Sequence, residues 1–425
     1  MTKPLLRDLF KVAFPLVVAV YLFNVAMQDG LDLRVYWAGA KEFLSGGDLY
    51  AGGLPGTPYG GMAFTYPPFA AALFVPLALM PVDVALVCQT LLNIVFAGTV
   101  GLLIAHYLRS KGVLPAGRGR YGLWIDAAAM TGVVLLLGPW RNSLALGQIN
   151  PLLLVLISVD LLASTRRHPD GFLPRGILTG LAAGIKLTPL VFLLFFVMRG
   201  DFKGAARMIA AFAGTVAIMA LAAPGFSAQY WLSSLGETNR VGTLSRFENI
   251  SLRGFISRLE PDPAAGTVLW VGLCAAVVAV AAFIIYVSRH DADPWGAVAA
   301  TALVMLLVSP VSWGHHWVWV VLIVPALLGR FRDKTPTTFS WRRLVPSPAG
   351  ILCLLMLACF ALQPVEAAQL AGSPNPYAAV SVVSEMLTQS GLFVAVLVLA
   401  WLAVSRPGRS ATDQRPDLHQ RSPVA

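Results

Sequence analysis

Apolar runs long enough to cross a bilayer recur along this chain, and no other feature constrains its fold so strongly. Val84 to Leu108 is one, longer than the roughly 20 residues a helix needs to span a ~30 Å hydrocarbon core. The chain is 57% hydrophobic and 12% charged, whereas a soluble domain runs near ~25% charged. The predicted class is all-α, a polytopic bundle of about 10–13 transmembrane or half-spanning helices. It forms one membrane domain over residues 1–405, followed by a disordered cytoplasmic tail at 406–425 rich in Arg, Ser, Pro and Asp. The segment from Lys3 to Met27 reads as an uncleaved first membrane helix.

The net charge of +10 does not indicate nucleic-acid binding, because the bases fall in short clusters between apolar runs, as cytoplasmic loops require. These clusters are the N-terminus, Arg109 to Arg120, Arg166 to Arg175, Arg199 to Arg207, Arg289, Arg330 to Arg343, and Arg406 onward. Placing them all on one side assigns five regions to the other: 28–65, 138–148, 224–263, 310–316 and 364–389. The four cysteines lie in apolar segments without paired spacing and read as buried thiols.

Two segments are too short for this threading. Tyr66 to Pro81 offers about 15 residues, roughly 22 Å of helix. Gly176 to Met198 lies between basic clusters and breaks at Lys186-Leu-Thr-Pro189, which predicts a helical hairpin with Lys186 near its tip. Broken helices persist at membrane depth only where protein or a water-filled cavity covers them, so a cavity is expected.

Several polar residues are misplaced for a purely structural chain. An uncompensated lysine at helix-centre depth costs about 2.5–3.5 kcal/mol, so Lys186 is read either as snorkelling or as a cation lining the cavity. His315 and His316 occupy an outer turn ringed by Trp313, Trp317 and Trp319. Asn142, Gln148 and Asn150 lie at the outer end of a span, where Asn150 before Pro151 fits a helix start. Arg246, Glu248, Asn249, Ser251, Arg253 and Arg258 belong to an amphipathic stretch, with Arg253 and Arg258 expected to face lipid phosphates. In "LDLRVYWAGAKEFLSGG" the apolar positions Leu33, Tyr36/Trp37, Ala40 and Phe43/Leu44 recur at helical spacing, and Gly46-Gly47 end the helix. Asp32 opens that helix, where it can serve as cap or as base.

Five stretches occur in a recognisable order: "LDLRVYWAGAKEFLSGGDLY", "FTYPPFAAALFVPLALMP", "LGQINPLLL", "GLAAGIKLTPL" and "NISLRGF". Together, over roughly residues 9 to 330, they resemble glycosyltransferase family 87, and most of all its polyprenyl-phosphate-mannose-dependent α-1,2-mannosyltransferases of glycosyltransferase-C fold. One departure is Ile250, where members often carry Gln between Asn and Ser. The resemblance implies transfer of mannose from a lipid-phosphate donor to a lipid-anchored mannoside, of phosphatidylinositol-mannoside or lipomannan type, on the outer face of the cell membrane. It also implies that Asp32 is the catalytic base.

The chemistry asks for matching groups. A lipid-phosphate leaving group needs cations or hydrogen-bond donors where charge develops, and Lys186, His315, His316 and Arg253 are the candidates. The attacking hydroxyl needs a base, and one carboxylate suits inverting, single-displacement transfer; a retaining hydrolase needs a second carboxylate about 5 Å away. Tyr66, Gln148, Asn150, Asn249 and Ser251 are the candidate substrate contacts. No cofactor or metal ion is expected, since no third His or Cys stands at ligand spacing near the histidines. A transferase for another polyprenyl-phosphate sugar, such as arabinose, and a lipid or sugar transporter with broken helices are the competing readings.

Overall fold

The computed structural model describes residues 28–50, 52–59, 61–115, 121–163, 173–237, 240, 242–259, 262–291, 293–331, 344–362 and 389–405. The expected first helix, the loop 364–388 and the tail 406–425 lie outside these residues. Among the described residues there are sixteen α-helices and no strand. The chain is an all-α polytopic membrane protein.

Proline sets many of the helix starts, where its missing N–H is no loss and its fixed φ is already helical. α1 is Leu31–Ser45, α2 is Pro68–Ala78 and α3 is Val82–Ser110. α4, Gly122–Leu136, and α5, Gly138–Leu146, meet at a 72° bend, where Leu137 is extended and Pro139 opens the next helix. α6, Asn150–Ser158, continues into a π-helical turn at Val159–Ala163. α7 is Ile177–Ile185, α8 Phe192–Met198, α9 Phe202–Ala222 and α10 Pro224–Leu232. α11 is Leu252–Arg258, α12 Pro263–Val287, α13 Trp295–Val308 and α14 Val320–Arg330. α15, Pro348–Leu362, and α16, Ser390–Val404, close the bundle.

α3, α9 and α12 are each long and apolar enough to cross a membrane, and the bent α4–α5 pair makes a fourth. Their packing inverts the soluble pattern. In α3, Leu91 is 58% exposed while Asn93 is fully buried, as expected when the surrounding solvent is hydrocarbon and the bundle interior supplies the polar partners.

The expected hairpin is present. Gly176 packs against Gly204 and Met208, and Gly184 against Thr215, so α7 runs parallel to α9. The chain then turns at Lys186, whose backbone is extended (φ −147°, ψ 134°), and passes through a 3₁₀ turn at Thr188–Val191. It returns along α8 to the starting level, where Phe196 lies against Gly204. Lys186 occupies the tip. α2 is shorter than its sequence suggested, 11 residues with Pro76 inside, or about 16 Å.

The two ends of the bundle differ in charge. At one end Lys111 pairs with Asp293 at 2.6 Å, Arg109 with Asp126 at 2.7 Å and Arg175 with Asp201 at 3.7 Å. Arg199 donates to the Ser288 and Asp291 carbonyls there, and Arg330 to those of Leu402 and Ser405. The regions assigned to the far side join one another at the opposite end. Gly30 N–H donates to Ala145 O, Gln229 to Asp48, Ile250 N–H to Ser312 O and Gln389 to the Phe247 carbonyl.

Candidate functional site

At that opposite end, the turn between α5 and α6 organises the polar residues. Gly147 has φ +67°, and a Cβ there would lie 2.6 Å from the Leu33 side chain, so this close approach of α1 to the turn needs glycine. The turn is held from below by two buried amides of α3. Gln89 Nε2 donates to the Gln148 carbonyl at 3.2 Å and Asn93 Nδ2 donates to the same oxygen at 3.3 Å.

From this fixed turn Gln148 and Asn150 reach in two directions. Gln148 Nε2 donates to Asp32 Oδ2 at 2.6 Å, and its Oε1 accepts from the Tyr36 hydroxyl at 3.1 Å. The Tyr36 and Tyr66 hydroxyls are 3.0 Å apart. On the other side Lys186 Nζ donates to Asn150 Oδ1 at 3.2 Å and meets His316 Nε2 at 3.1 Å. An ammonium can only donate, so His316 Nε2 is the acceptor of this contact. Asn150 Nδ2 in turn donates to the His315 carbonyl at 3.2 Å, and the two imidazoles meet edge to face at 4.7 Å. The Lys186 ammonium also stands 5.7 Å from the Tyr66 ring.

Asp32 lies in the first turn of α1 but does not cap it. The cap position belongs to Gly30, which makes no side-chain hydrogen bond to the helix, and the Asp32 carboxylate is turned to Gln148 instead. The capping alternative is thereby removed. Burial raises the Asp32 carboxyl from 3.8 to about 6, against the opposing effects of the Gln148 hydrogen bond and the Lys186 charge. It is half-buried at the end of a short helix, outside the membrane-spanning segments. The helix itself follows its sequence: Leu33, Tyr36 and Ala40 are buried, and Ser45 is its last residue before Gly46.

A small cavity of about 20 Å³ adjoins the hairpin tip, lined by Asn150, Lys186, Thr188, Ser309, Ser312 and His316 among others. It has room for about one water molecule.

The profile of glycosyltransferase family 87 matches residues 64–310. The chain belongs to this family. Among curated proteins it is 35% identical over 306 residues, 70% of each chain, to a polyprenol-phosphate-mannose-dependent α-(1-2)-phosphatidylinositol mannoside mannosyltransferase of Mycobacterium tuberculosis. It is 36% identical over 316 residues, again 70% of each chain, to the protein of that description from Mycolicibacterium smegmatis. A phosphatidylinositol pentamannoside mannosyltransferase of the latter organism is 33% identical over 307 residues, 70% of this chain and 69% of its own. No solved structure gives a significant match. As a family 87 member the chain is a glycosyltransferase. Asp32, His315 and His316 fall outside the matched range and are tied to it by Gln148, Asn150 and Lys186.

Not every sequence candidate joins this cluster. Asn249 is fully buried and spends its amide on structure: Nδ2 donates to the Leu244 and Pro310 carbonyls, and Oδ1 accepts from Ser312 N–H. Ser251 bonds the Pro310 carbonyl and caps α11 by accepting from Gly254 N–H. Ile250 is buried beside them. This stretch braces the 310–313 turn that leads to the histidines. The Arg253 guanidinium lies over the Trp270 ring at 5.3 Å and donates to Thr267, while Arg258 holds the Arg246 and Asn249 carbonyls. Conversely, Tyr36 reads in the sequence only as an apolar position of the helix, and Gln89 and Asn93 went unremarked. Gln89 and Asn93, four residues apart in an apolar span, carry the signal that could have found them.

Proposed function

We propose that the protein transfers mannose from a polyprenyl-phosphate donor to the hydroxyl of a phosphatidylinositol-mannoside acceptor, with inversion, forming an α-1,2 linkage on the outer face of the membrane. The observation that carries this reading is the junction of one carboxylate and one lysine through a single turn, Gln148 holding Asp32 and Asn150 holding Lys186. The curated relatives, whose names specify that donor, linkage and class of acceptor, support it.

In this scheme the acceptor oxygen attacks the anomeric carbon as its proton passes to Asp32. The bond between the anomeric carbon and the phosphate oxygen breaks, and the phosphate leaves with a second negative charge. Lys186 stabilises that charge. Two of its three N–H donors are fixed by Asn150 and His316, which holds the ammonium in place, and the third is free for the phosphate. The gathering of basic residues at the end of the bundle opposite the site supports the outer-face assignment through the positive-inside rule.

The test is direct. Purified protein in lipid nanodiscs is incubated with radiolabelled polyprenyl-phosphate mannose and phosphatidylinositol mannosides. Labelled acceptor extended by one α-1,2-mannose is expected. Absence of transfer, with transfer observed from a polyprenyl-phosphate arabinose donor instead, overturns the mannose assignment.

A further inference from the structure

Tyr36 belongs to no assigned role, yet it is as enclosed as Gln148 itself. It is 1% exposed, its ring stacked on Phe74 at 4.5 Å. Its hydroxyl is where the hydrogen bonds of the site become directional. A side-chain amide can face either way, and which end meets a partner follows from the network around it. Here Oε1 of Gln148 is an acceptor only, so at the 3.1 Å contact the Tyr36 hydroxyl must donate. Having given its one proton away, Tyr36 must accept at the 3.0 Å contact, so Tyr66 donates there. Tyr66, Tyr36 and Gln148 thus form a chain in which each hydroxyl proton has one consistent place. The other end of the amide, Nε2 of Gln148, is aimed outward at Asp32 Oδ2, 2.6 Å away.

Reversing the amide would set Oε1 against the carboxylate, oxygen against oxygen, and would put an N–H donor in place of the oxygen that accepts from the Tyr36 hydroxyl. The tyrosine pair therefore fixes the orientation of the side chain that, among the described residues, hydrogen-bonds Asp32. We infer that Tyr36 is a positioning residue for Asp32, acting through Gln148, and that Gln148 and Tyr66 serve the carboxylate's orientation rather than contact with the sugar. The inference rests on the assignment of Asp32 as the base.

Tyr36→Phe tests it, because it removes the hydroxyl and keeps the ring on Phe74. Without that hydroxyl the Gln148 amide loses its orienting donor, and Asp32 loses part of a hydrogen bond that favours its charged form. With polyprenyl-phosphate mannose and phosphatidylinositol mannoside as substrates, kcat is expected to fall about tenfold with donor KM within about twofold. The acid limb of the kcat/KM profile is expected to rise by roughly half to one pH unit. Its midpoint is independent of how much enzyme is folded, so a loss of folded protein leaves the readout intact. The groups facing Asp32 are Gln148, Tyr36, Tyr66 and Lys186, and all but the substituted one are unchanged. Gln148→Leu is expected to shift the limb the same way, and the double variant no further than Gln148→Leu alone, since both act along one path. A wild-type limb in Tyr36→Phe, or shifts that add in the double variant, overturns the inference. Full activity in Asp32→Asn would instead overturn the assignment of the base, which separates the two failures.

Discussion

Gln148 and Asn150, two positions apart on one turn, hold the opposite charges of the site, the first bonded to Asp32 at 2.6 Å and the second to Lys186 at 3.2 Å. Because one rigid turn carries both, the spacing between carboxylate and ammonium is set by the backbone. It does not depend on the mutual attraction of two mobile side chains. The buried amides of α3 fix the turn from below. In the proposed reaction, a base and a phosphate-binding cation that act on opposite sides of one anomeric carbon need such a constant separation.

Asp32→Asn is the first consequence. The variant keeps an oxygen for Gln148 but cannot take a proton, so activity is expected to fall about 10²–10⁴-fold. Stability should move the other way. A carboxyl raised from 3.8 to about 6 on folding contributes stability that is complete below the lower value and is lost as pH rises through the upper one. At pH 7.5 the wild type therefore carries the full penalty of a charged Asp32, and Asn removes it. Melting curves in detergent should show the variant more stable at pH 7.5, with the difference shrinking toward pH 4. A variant less stable at both pH values would contradict the burial argument.

The pH dependence of the wild type follows from the same group. If Asp32 must be ionised to accept the proton, kcat/KM should fall below about pH 6, losing roughly tenfold per pH unit at lower pH. An acid limb near pH 4 would mean that substrate binding or water restores the ordinary carboxyl, and a limb absent in Asp32→Glu as well would remove the carboxylate from the rate equation.

Lys186→Met retains the length of the side chain and removes the charge. It leaves Asn150 Oδ1 and His316 Nε2 without their donor. A loss of about 10²–10³-fold in kcat/KM is expected, comparable to removing one donor from an anion-stabilising site. Inhibition by free polyprenyl phosphate should weaken in parallel. Undiminished inhibition in an inactive variant would place Lys186 elsewhere in the cycle.

How far could this have been read from the sequence? The broken segment at Lys186, the division of the chain into a basic end and an opposite end, and the helix from Leu33 to Gly46 were legible. Each is set by local composition or by the 3.6-residue period. The helix start lies two residues earlier than the cap the sequence offered: Asp32 was open as cap or as base, whereas Gly30 takes the cap position, because nothing local shows that the carboxylate has a partner 116 residues away. Asn249, Ser251 and Arg253 looked like site residues for the same reason. Asn249 and Ser251 bond the 310–312 turn and Arg253 bonds Thr267 on α12, and a polar residue that braces a turn has the same composition as one that waits for a substrate. The pairing of α7 with α9 is written as Gly176, Gly180 and Gly184 at every fourth position, a small-residue face for close helix packing.

Asp160 makes a structural prediction of a different kind. Its carboxylate accepts from Gly176 N–H at 3.0 Å on both oxygens, from Thr179 N–H at 3.0 Å and from the Thr179 hydroxyl at 2.5 Å, so it anchors the base of the hairpin to the π-helical turn after α6. Asp160→Ala would leave three buried donors without an acceptor, a loss of about 2–4 kcal/mol. Thr179→Val removes one of them and should lose about 1 kcal/mol. Equal effects of the two variants in denaturant titrations would show that the backbone N–H bonds contribute little.

Gly180 offers the sharpest test of the hairpin itself. A Cβ at this position would stand 2.3 Å from the Met208 carbonyl oxygen and 2.7 Å from the Ala211 methyl. The first is backbone and cannot swing aside, so even Gly180→Ala must push α7 away from α9. In hydrocarbon, helices associate through close packing, without a hydrophobic drive between them, so the lost contact is not recovered by burial elsewhere. Gly180→Ala is expected to lower stability by about 1–3 kcal/mol, and Gly180→Leu to abolish the folded state or move Lys186 off Asn150. Gly214, which meets nothing within 4 Å, is the control on α9: Gly214→Ala should be neutral or slightly stabilising, since it adds helix propensity without a clash. Equal stability of the Gly180 and Gly214 alanine variants would contradict the parallel packing of α7 on α9, and with it the placement of Lys186 at the tip.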